Sequence, residues 1–329
     1  MAITFEQAAS IAEERMKTSI RSELEKPLTP EEREEAIRQE EEQELEKNAA
    51  PDTIREKLKN LCRENKLAAV SAVVLAVFIL LILCSDWIAP YDPNAINLLE
   101  RTQAPSLKHW FGTDDLGRDV LSRVLAGGKV SLMVGIIPTT ISMAIGIVLG
   151  LLSGYVKKLD AVIMRMADIV LAFPSIVLAM VVMYTLGAST FNIFIALSMI
   201  GWAGTARIVR SQTLSLREME YVEAAKGMGV RKWTVMFRHI LPNCLPSLIV
   251  LYTMDIPDAI LSEASLSFLG VGAQPPDSSW GLMASQAKSF AMNCPWMLVF
   301  PSLAILIMVL ALNFLGDGLR DALDPQLKK

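Results

Sequence analysis

Residues 223–242 read EAAKGMGVRKWTVMFRHILP, a polar and charged stretch with long apolar segments on either side. Residues 203–217 lead into it from one hydrophobic segment, and residues 244–251 leave it for the next. The composition predicts a short helix, a turn and a second short helix. Glu223, Ala224 and Ala225 favour helix, and the small alanines let another backbone approach closely. Gly227 and Gly229 can take positive φ, so the chain can reverse there. From 231 to 240 the pattern is helical again, with Trp233, Met236, Phe237 and Ile240 at spacings of three and four. Pro242 is expected to stop that second helix, because it has no N–H to donate.

Working outward, six apolar segments surround this stretch, at 67–88, 130–156, 161–186, 191–208, 244–265 and 296–315. Each can cross a hydrocarbon layer of about 30 Å, which takes about 20 helical residues. Pro174 is expected to kink the third. Length alone would permit two domains. With 52% hydrophobic residues, however, the chain is too apolar for a typical soluble protein. The expected class is therefore all-α, a polytopic membrane protein with six transmembrane helices. Six crossings put both termini on one side. The basic residues Lys157 and Lys158, the basic loop 207–238 and Lys328 and Lys329 then mark that side as cytoplasmic. Residues 86–128 and 266–295 are expected outside.

Upstream of the first crossing the character changes. Residues 1–50 form an acidic extension with a glutamate run at 40–42 and no apolar core of a signal peptide. Thr29, Pro30 and Glu32 have the pattern of a capped helix start, but the helix that follows over 31–47 is polar on every side. A solvated cytoplasmic tail is the expectation. Over 51–66, Ile54, Leu58, Leu61 and Cys62 share one helical face among basic residues, which predicts an amphipathic helix at the membrane surface. The net charge of −4 mostly describes the tail and gives no support to nucleic-acid binding. Cysteines 62, 84, 244 and 294 show no ligand spacing, and His109 and His239 are too few and too separate for a metal cluster. Gly128-Lys129 lacks the rest of a phosphate loop. No metal, cofactor or catalytic residue is expected, and ATP hydrolysis would need another subunit.

The sequence resembles a known family at the opening stretch. Glu223-Ala224-Ala225, three residues, Gly229, nine residues and then His239-Ile240-Leu241-Pro242 is similar to the EAA loop of bacterial ABC importer permeases. The general family pattern has isoleucine where His239 stands, and the peptide-transporter branch resembles this version. IAPYDPNAINL (88–98), WFGTDDLGRDVLSR (110–123), LDAVIMRMADIVLAFP (159–174), EASLSFLGVGAQPPDSSWG (263–281) and NFLGDGLRDALDP (313–325) resemble the C-type subunit of dipeptide, oligopeptide and nickel importers. The resemblance spans roughly 65–327. It implies a permease domain over 67–329 in the bacterial plasma membrane, with a cytoplasmic coupling loop at about 207–243. Glu223, Ala224, Ala225, Gly229, Ile240, Leu241 and Pro242 would meet an ATPase there. The implied partners are a homologous second permease, two cytoplasmic ATPases and an extracytoplasmic substrate-binding protein. The implied cargo is a peptide, with nickel or another small solute as the alternative.

Other residues invite physical readings of their own. Arg165 and Asp168 lie one turn apart and are expected to pair on one helix face. The glycines and prolines of 270–281 predict a turn-rich outer loop with an exposed Trp280, either a rigid connector or else a contact for the binding protein or an outer gate. Asp317, Arg320, Asp321 and Asp324 follow the sixth segment at helical spacing, and Pro325 is expected to end that helix. Gly146, Gly150 and Gly154 form a small-residue stripe that permits close helix packing, against this chain or its partner permease. Asp255 and Asp258 share a face of the fifth segment with Ser262, while Glu263 points away, and Pro257 removes one backbone bond between them. The two acids would line a translocation path that favours cationic cargo, pair with basic residues of the second permease, or sit in water near the edge of the cavity. The rival class is an ion-coupled secondary transporter, in which they would bind protons or sodium. Six spans are few for a complete carrier, and the docking loop would then be unexplained.

Overall fold

The computed structural model describes residues 66–323. The acidic extension, the amphipathic segment except for its last residue, and Asp324, Pro325 and the C-terminal lysines lie outside the described residues. Within them the chain is helical and forms no β-strand. Helix α1 (Lys66–Leu83) is apolar on every side, and Leu67, Val70, Val73, Leu80 and Leu83 are exposed as a lipid-facing helix requires. A short α2 (Ser85–Ile88) follows. An irregular segment then leads to α3 (Val120–Tyr155), which starts ten residues before the expected boundary. Asp119 sets that start. Its carboxylate accepts the Ser122 N–H at 2.8 Å and the Ser122 hydroxyl at 2.7 Å, an N-cap that hydropathy alone does not reveal.

The third expected crossing is not a kinked rod. It breaks into α4 (Lys157–Leu171) and α5 (Ser175–Leu186), bent by 89°. Pro174 has no N–H for the helix and disfavours helical geometry at Phe173, so the chain turns there. The 12 residues of α5 span about 18 Å, too short to cross alone. Among the described residues five helices are long and apolar enough to cross a membrane, and the bent pair brings the number to six.

Pro242 does not stop the second loop helix either. Helix α6 (Thr190–Leu216) leads to α7 (Glu220–Gly227) and then to α8 (Lys232–Thr234). A π-helical turn, Val235–Ile240, joins α8 directly to α9 (Leu241–Phe268). The Leu241 N–H bonds the carbonyl of Met236, five residues back, so the wider turn carries the chain past the donor that Pro242 lacks. The helix then runs unbroken over Lys232–Phe268, 37 residues or roughly 55 Å. Helix α10 (Trp280–Ala287) folds back into the bundle, and α11 (Trp296–Leu323) closes it.

Two contacts organise the bundle. The glycine stripe of α3 packs on α6 of the same chain. A methyl at Gly146, Gly150 or Gly154 would lie 2.6 Å from the β-carbons of Thr205, Val209 and Thr213 respectively. The second contact is Trp280, which is fully buried and not exposed as expected. Its indole N–H donates to the Val124 carbonyl at 2.8 Å, and its ring lies 5.8 Å from that of Phe78. Turn-forming composition predicted a surface loop. The segment instead returns to the core, where Gly128 leaves room for the indole and Gly281 for Ala264.

The α3–α6 contact predicts a contrast between two glycines. A methyl at Gly150 meets the Ala206 carbonyl oxygen at 2.7 Å, whereas one at Gly204 meets nothing within 4 Å. Gly150→Ala should destabilise by about 1–3 kcal/mol as an overpacked contact. Gly204→Ala should be neutral or stabilise by up to about 1 kcal/mol through helix propensity. Thermal unfolding midpoints in detergent test this, and equal midpoints for the two variants would refute the assigned contact.

Candidate functional site

The loop that decided the reading is built as a two-sided hairpin. Its inner side is apolar: Val222, Val235, Met236 and Ile240 are buried with Leu151 of α3, Val209 of α6 and Cys244 and Leu248 of α9. Polar contacts fix its ends. Arg217 Nη1 donates to the Gly154 carbonyl at 3.0 Å, and Lys226 Nζ donates to the Arg217 carbonyl at 2.8 Å while lying 5.7 Å from the Tyr155 ring centre. Gly229 makes the reversal at φ 77°. The Gly229 N–H bonds the Lys226 carbonyl and the Val230 N–H bonds that of Ala225, which caps the end of α7.

This construction divides the sequence-predicted coupling residues. Glu223, Ala224, Gly229 and Pro242 are exposed, Leu241 is half-buried, and Ala225 and Ile240 are buried and hold the hairpin in place. The apolar face expected over 231–240 splits as well. Met236 and Ile240 turn inward, while Trp233 is 58% exposed and stacks on the exposed Phe237 with ring centres 6.0 Å apart. The π turn carries an extra residue and rotates the two pairs onto different sides. Tyr221 and Met228, the latter 78% exposed, complete an outer surface that sequence reasoning did not single out. Exposed apolar side chains in an otherwise polar loop were its signal.

Beneath the hairpin, α3, α4 and α6 are tied by one carboxylate. Asp160 accepts from both Nε and Nη2 of Arg210, the latter at 2.7 Å, and from the Ser153 hydroxyl at 2.6 Å. Residues 50 apart leave no local pattern, so the sequence did not disclose this pair. The expected Arg165–Asp168 pair is replaced. Asp168 bonds Arg207 Nη2 at 2.7 Å across to α6, because the helix packing brings that guanidinium closer than the one on its own helix.

Near the middle of α9, Asp255, Asp258 and Ser262 line one cavity of about 210 Å³ between α3, α5, α6 and α9. Thr139 and Ser142 of α3 and Ser175 of α5 add hydroxyls to its wall. Asp255 is half-buried and Asp258 exposed, and neither forms an ion pair among the described residues. Glu263 points elsewhere and is fully buried.

The opposite end of the bundle is capped by residues 89–119. His109 is buried with Nδ1 2.9 Å from an Asp119 oxygen and Nε2 3.3 Å from a Glu100 oxygen. Arg118 Nε donates to Asp114 at 2.7 Å, a buried ion pair within this cap. Lys108 bonds Glu100 and, with His109, holds that carboxyl below its ordinary range.

Comparison with known proteins gives this geometry a family context. Residues 146–329 match the family model of the binding-protein-dependent transport system inner membrane component. Residues 62–105 match that of the N-terminal TM domain of oligopeptide transport permease C. A glutathione transport system permease protein of Pectobacterium atrosepticum is 44% identical over 263 residues, 78% of this chain and 87% of the relative. A dipeptide transport system permease protein of Alkalihalophilus pseudofirmus is 43% identical over 275 residues, 83% and 90% of the two chains. An oligopeptide transport system permease protein of Bacillus subtilis is 41% identical over 268 residues, 81% and 88%. A solved structure of the MetNI methionine ABC transporter in inward facing conformations is similar at a TM-score of 0.49 and 19% identity, over 61% of this chain and 96% of that one.

The hairpin makes a local prediction. A residue with a Cβ pays about 1–2 kcal/mol for the conformation Gly229 adopts, and asparagine tolerates it best. Gly229→Val should expose residues 217–232 to limited proteolysis while the unfolding midpoint of the membrane part holds, and Gly229→Asn should cleave like the parent. Identical cleavage of all three proteins would show that the turn does not need its glycine.

Proposed function

This chain belongs to the family of binding-protein-dependent transport system inner membrane components, and on that premise we propose that it is one of two homologous permeases that together enclose a peptide path. It is a multi-pass membrane subunit of an ABC importer, a system that also contains ATPase and substrate-binding components. The arrangement we assign is two cytoplasmic ATPases, a second permease and an extracytoplasmic binding protein, with both termini and the coupling loop in the cytoplasm. The chain itself breaks no bond in the cargo. Its domains would be the acidic extension over 1–50, the interfacial helix over 51–66 and the permease over 67–329.

One observation carries this reading. The hairpin has a buried side that grips α3, α6 and α9 and an outer side left open, and it runs without a break into the helix that bears Asp255 and Asp258. A push on the open side would therefore reach the cavity through helical backbone. Glu223, Ala224 and Gly229 would meet the ATPase, with Trp233 and Met228 as apolar anchors, while Ala225, Ile240, Leu241 and Pro242 would keep the hairpin rigid. Relatives are named for glutathione, dipeptide and oligopeptide transport, so a short peptide is the proposed cargo. Its ammonium end would suit the two carboxylates of the cavity, since an unpaired carboxylate within a membrane needs water or a cation beside it.

Two experiments in vesicles containing the whole complex test this. Glu223→Lys should lower ATP-driven uptake by about tenfold or more through like-charge or unpaired contacts at the ATPase, with membrane insertion intact. Normal uptake would remove the coupling role. The double variant Asp255→Asn with Asp258→Asn keeps size and hydrogen bonding and removes charge. Uptake of a cationic peptide should fall several-fold more than uptake of one with a blocked, neutral amino end. Equal loss for both, or failure to assemble, would instead assign the acids to pairing with the second permease.

A further inference from the structure

Glu263 is a carboxylate with no role in the reading above, yet it is one of the most deeply enclosed side chains in the described residues. Its exposure is 0%. Oε1 accepts two hydroxyl bonds, from Ser267 Oγ at 2.6 Å and from Ser279 Oγ at 2.6 Å. Oε2 is buried and has no hydrogen-bond partner among the described residues. Both serines are committed on their other side. Ser267 Oγ accepts the Ala273 N–H at 3.0 Å, and Ser279 Oγ accepts the Leu282 N–H at 3.1 Å as the N-cap of α10. One carboxylate oxygen thus gathers both ends of the turn-rich segment 270–279 and the start of α10 onto the last turns of α9. Packing reinforces this contact. A methyl on Gly281 would lie 2.5 Å from Ala264 Cα, so α10 approaches α9 at backbone distance, and Leu282 of α10 clusters with Leu266 of α9 and Ala273.

Glu263 also stands at a mechanical end. The helix over Lys232–Phe268 begins in the coupling hairpin and ends at the segment that Glu263 holds. We infer that Glu263 is a positioning residue for transport, whose buried carboxylate fastens the outer segment 270–287 to the far end of this rod, so that movement entering at the hairpin is delivered to the outer face. The inference rests on the proposed importer function and adds the outer linkage to it. A carboxyl group suits this position because one of its oxygens can accept from two hydroxyl groups at once. The hydroxyls are donors here, which frees each serine oxygen to receive a backbone N–H. The chain of bonds therefore runs from the α10 cap through Ser279, Glu263 and Ser267 to the Ala273 backbone.

The test uses the assembled transporter in lipid nanodiscs and vesicles, with binding protein present. Two quantities are read: hydrogen–deuterium exchange of the amides in 270–287, and substrate imported per ATP hydrolysed. Glu263→Leu should speed exchange there by roughly tenfold or more, as the loss of two buried hydrogen bonds implies, and should lower import per ATP. Glu263→Gln should restore both, since its amide oxygen can accept the same two hydroxyl bonds and its amino group takes the place of the unpartnered oxygen. Ser279→Ala should move both readouts in the direction of the leucine variant by a smaller factor, and it decides the matter if Glu263→Leu does not assemble. Faster exchange with unchanged import per ATP would reduce Glu263 to a structural residue and overturn the inference. So would glutamine behaving like leucine. Absence of ATP-driven import by the parent complex would fail the importer assignment itself, which separates the two outcomes.

Discussion

Gly146, Gly150 and Gly154 bring α3 and α6 to a separation at which no other residue type fits without displacement. Everything near the hairpin over 217–242 is arranged around that approach. Because the helices touch backbone to backbone, Arg210 can reach across to Asp160 and Arg217 can reach the Gly154 carbonyl. The hairpin then rests on the paired ends of α3 and α6 as on a platform. In a membrane, where apolar side chains gain little by leaving lipid for one another, such close packing is a principal source of helix association.

Proline acts differently at each place in this chain, and the difference has a local cause. At Pro174 no alternative donor or wider turn is provided, and the chain bends by 89°. At Pro242 the preceding π turn supplies the Leu241 to Met236 bond, and the helix continues. Pro257 lies within α9, between the two aspartates, and interrupts the ladder without ending the helix. The consequence is a long rod joining loop to cavity, beside a broken pair of helices whose second leg, α5, lines that same cavity. A continuous helix can transmit displacement, and a short leg beside it can yield to it.

Charge is handled with the same economy at the two ends. Near the hairpin, Asp160 and Asp168 are bonded by arginines of α6. At the opposite end, His109 lies between Asp119 and Glu100, and Arg118 is bonded to Asp114. Between these layers Asp255 and Asp258 alone of the α9 acids face open space, while Glu263 is sealed in by hydroxyls. Hydroxyl groups of Thr139, Ser142, Ser175 and Ser262 share the cavity with those two acids.

The sequence by itself determined the helical class, the apolar segments, the polar hairpin with its reversal at Gly229, and the shared face of Asp255, Asp258 and Ser262. Each of these follows from neighbours within a few residues: hydropathy over about 20 positions, glycine at a turn, spacings of three and four on a helix. Only the tertiary structure decided that Asp168 bonds Arg207, that Arg210 reaches Asp160, that Trp280 is buried and that Glu263 holds the segment following its helix. These depend on which helices come together and how closely, and a partner 39 or 50 residues away leaves no periodic trace. The π turn at Pro242 falls between the two. The proline was legible, but whether the helix stops or widens depends on the packing of Val235, Met236 and Ile240 against α3 and α6, because buried contacts on both sides of the proline hold the backbone helical through the missing donor.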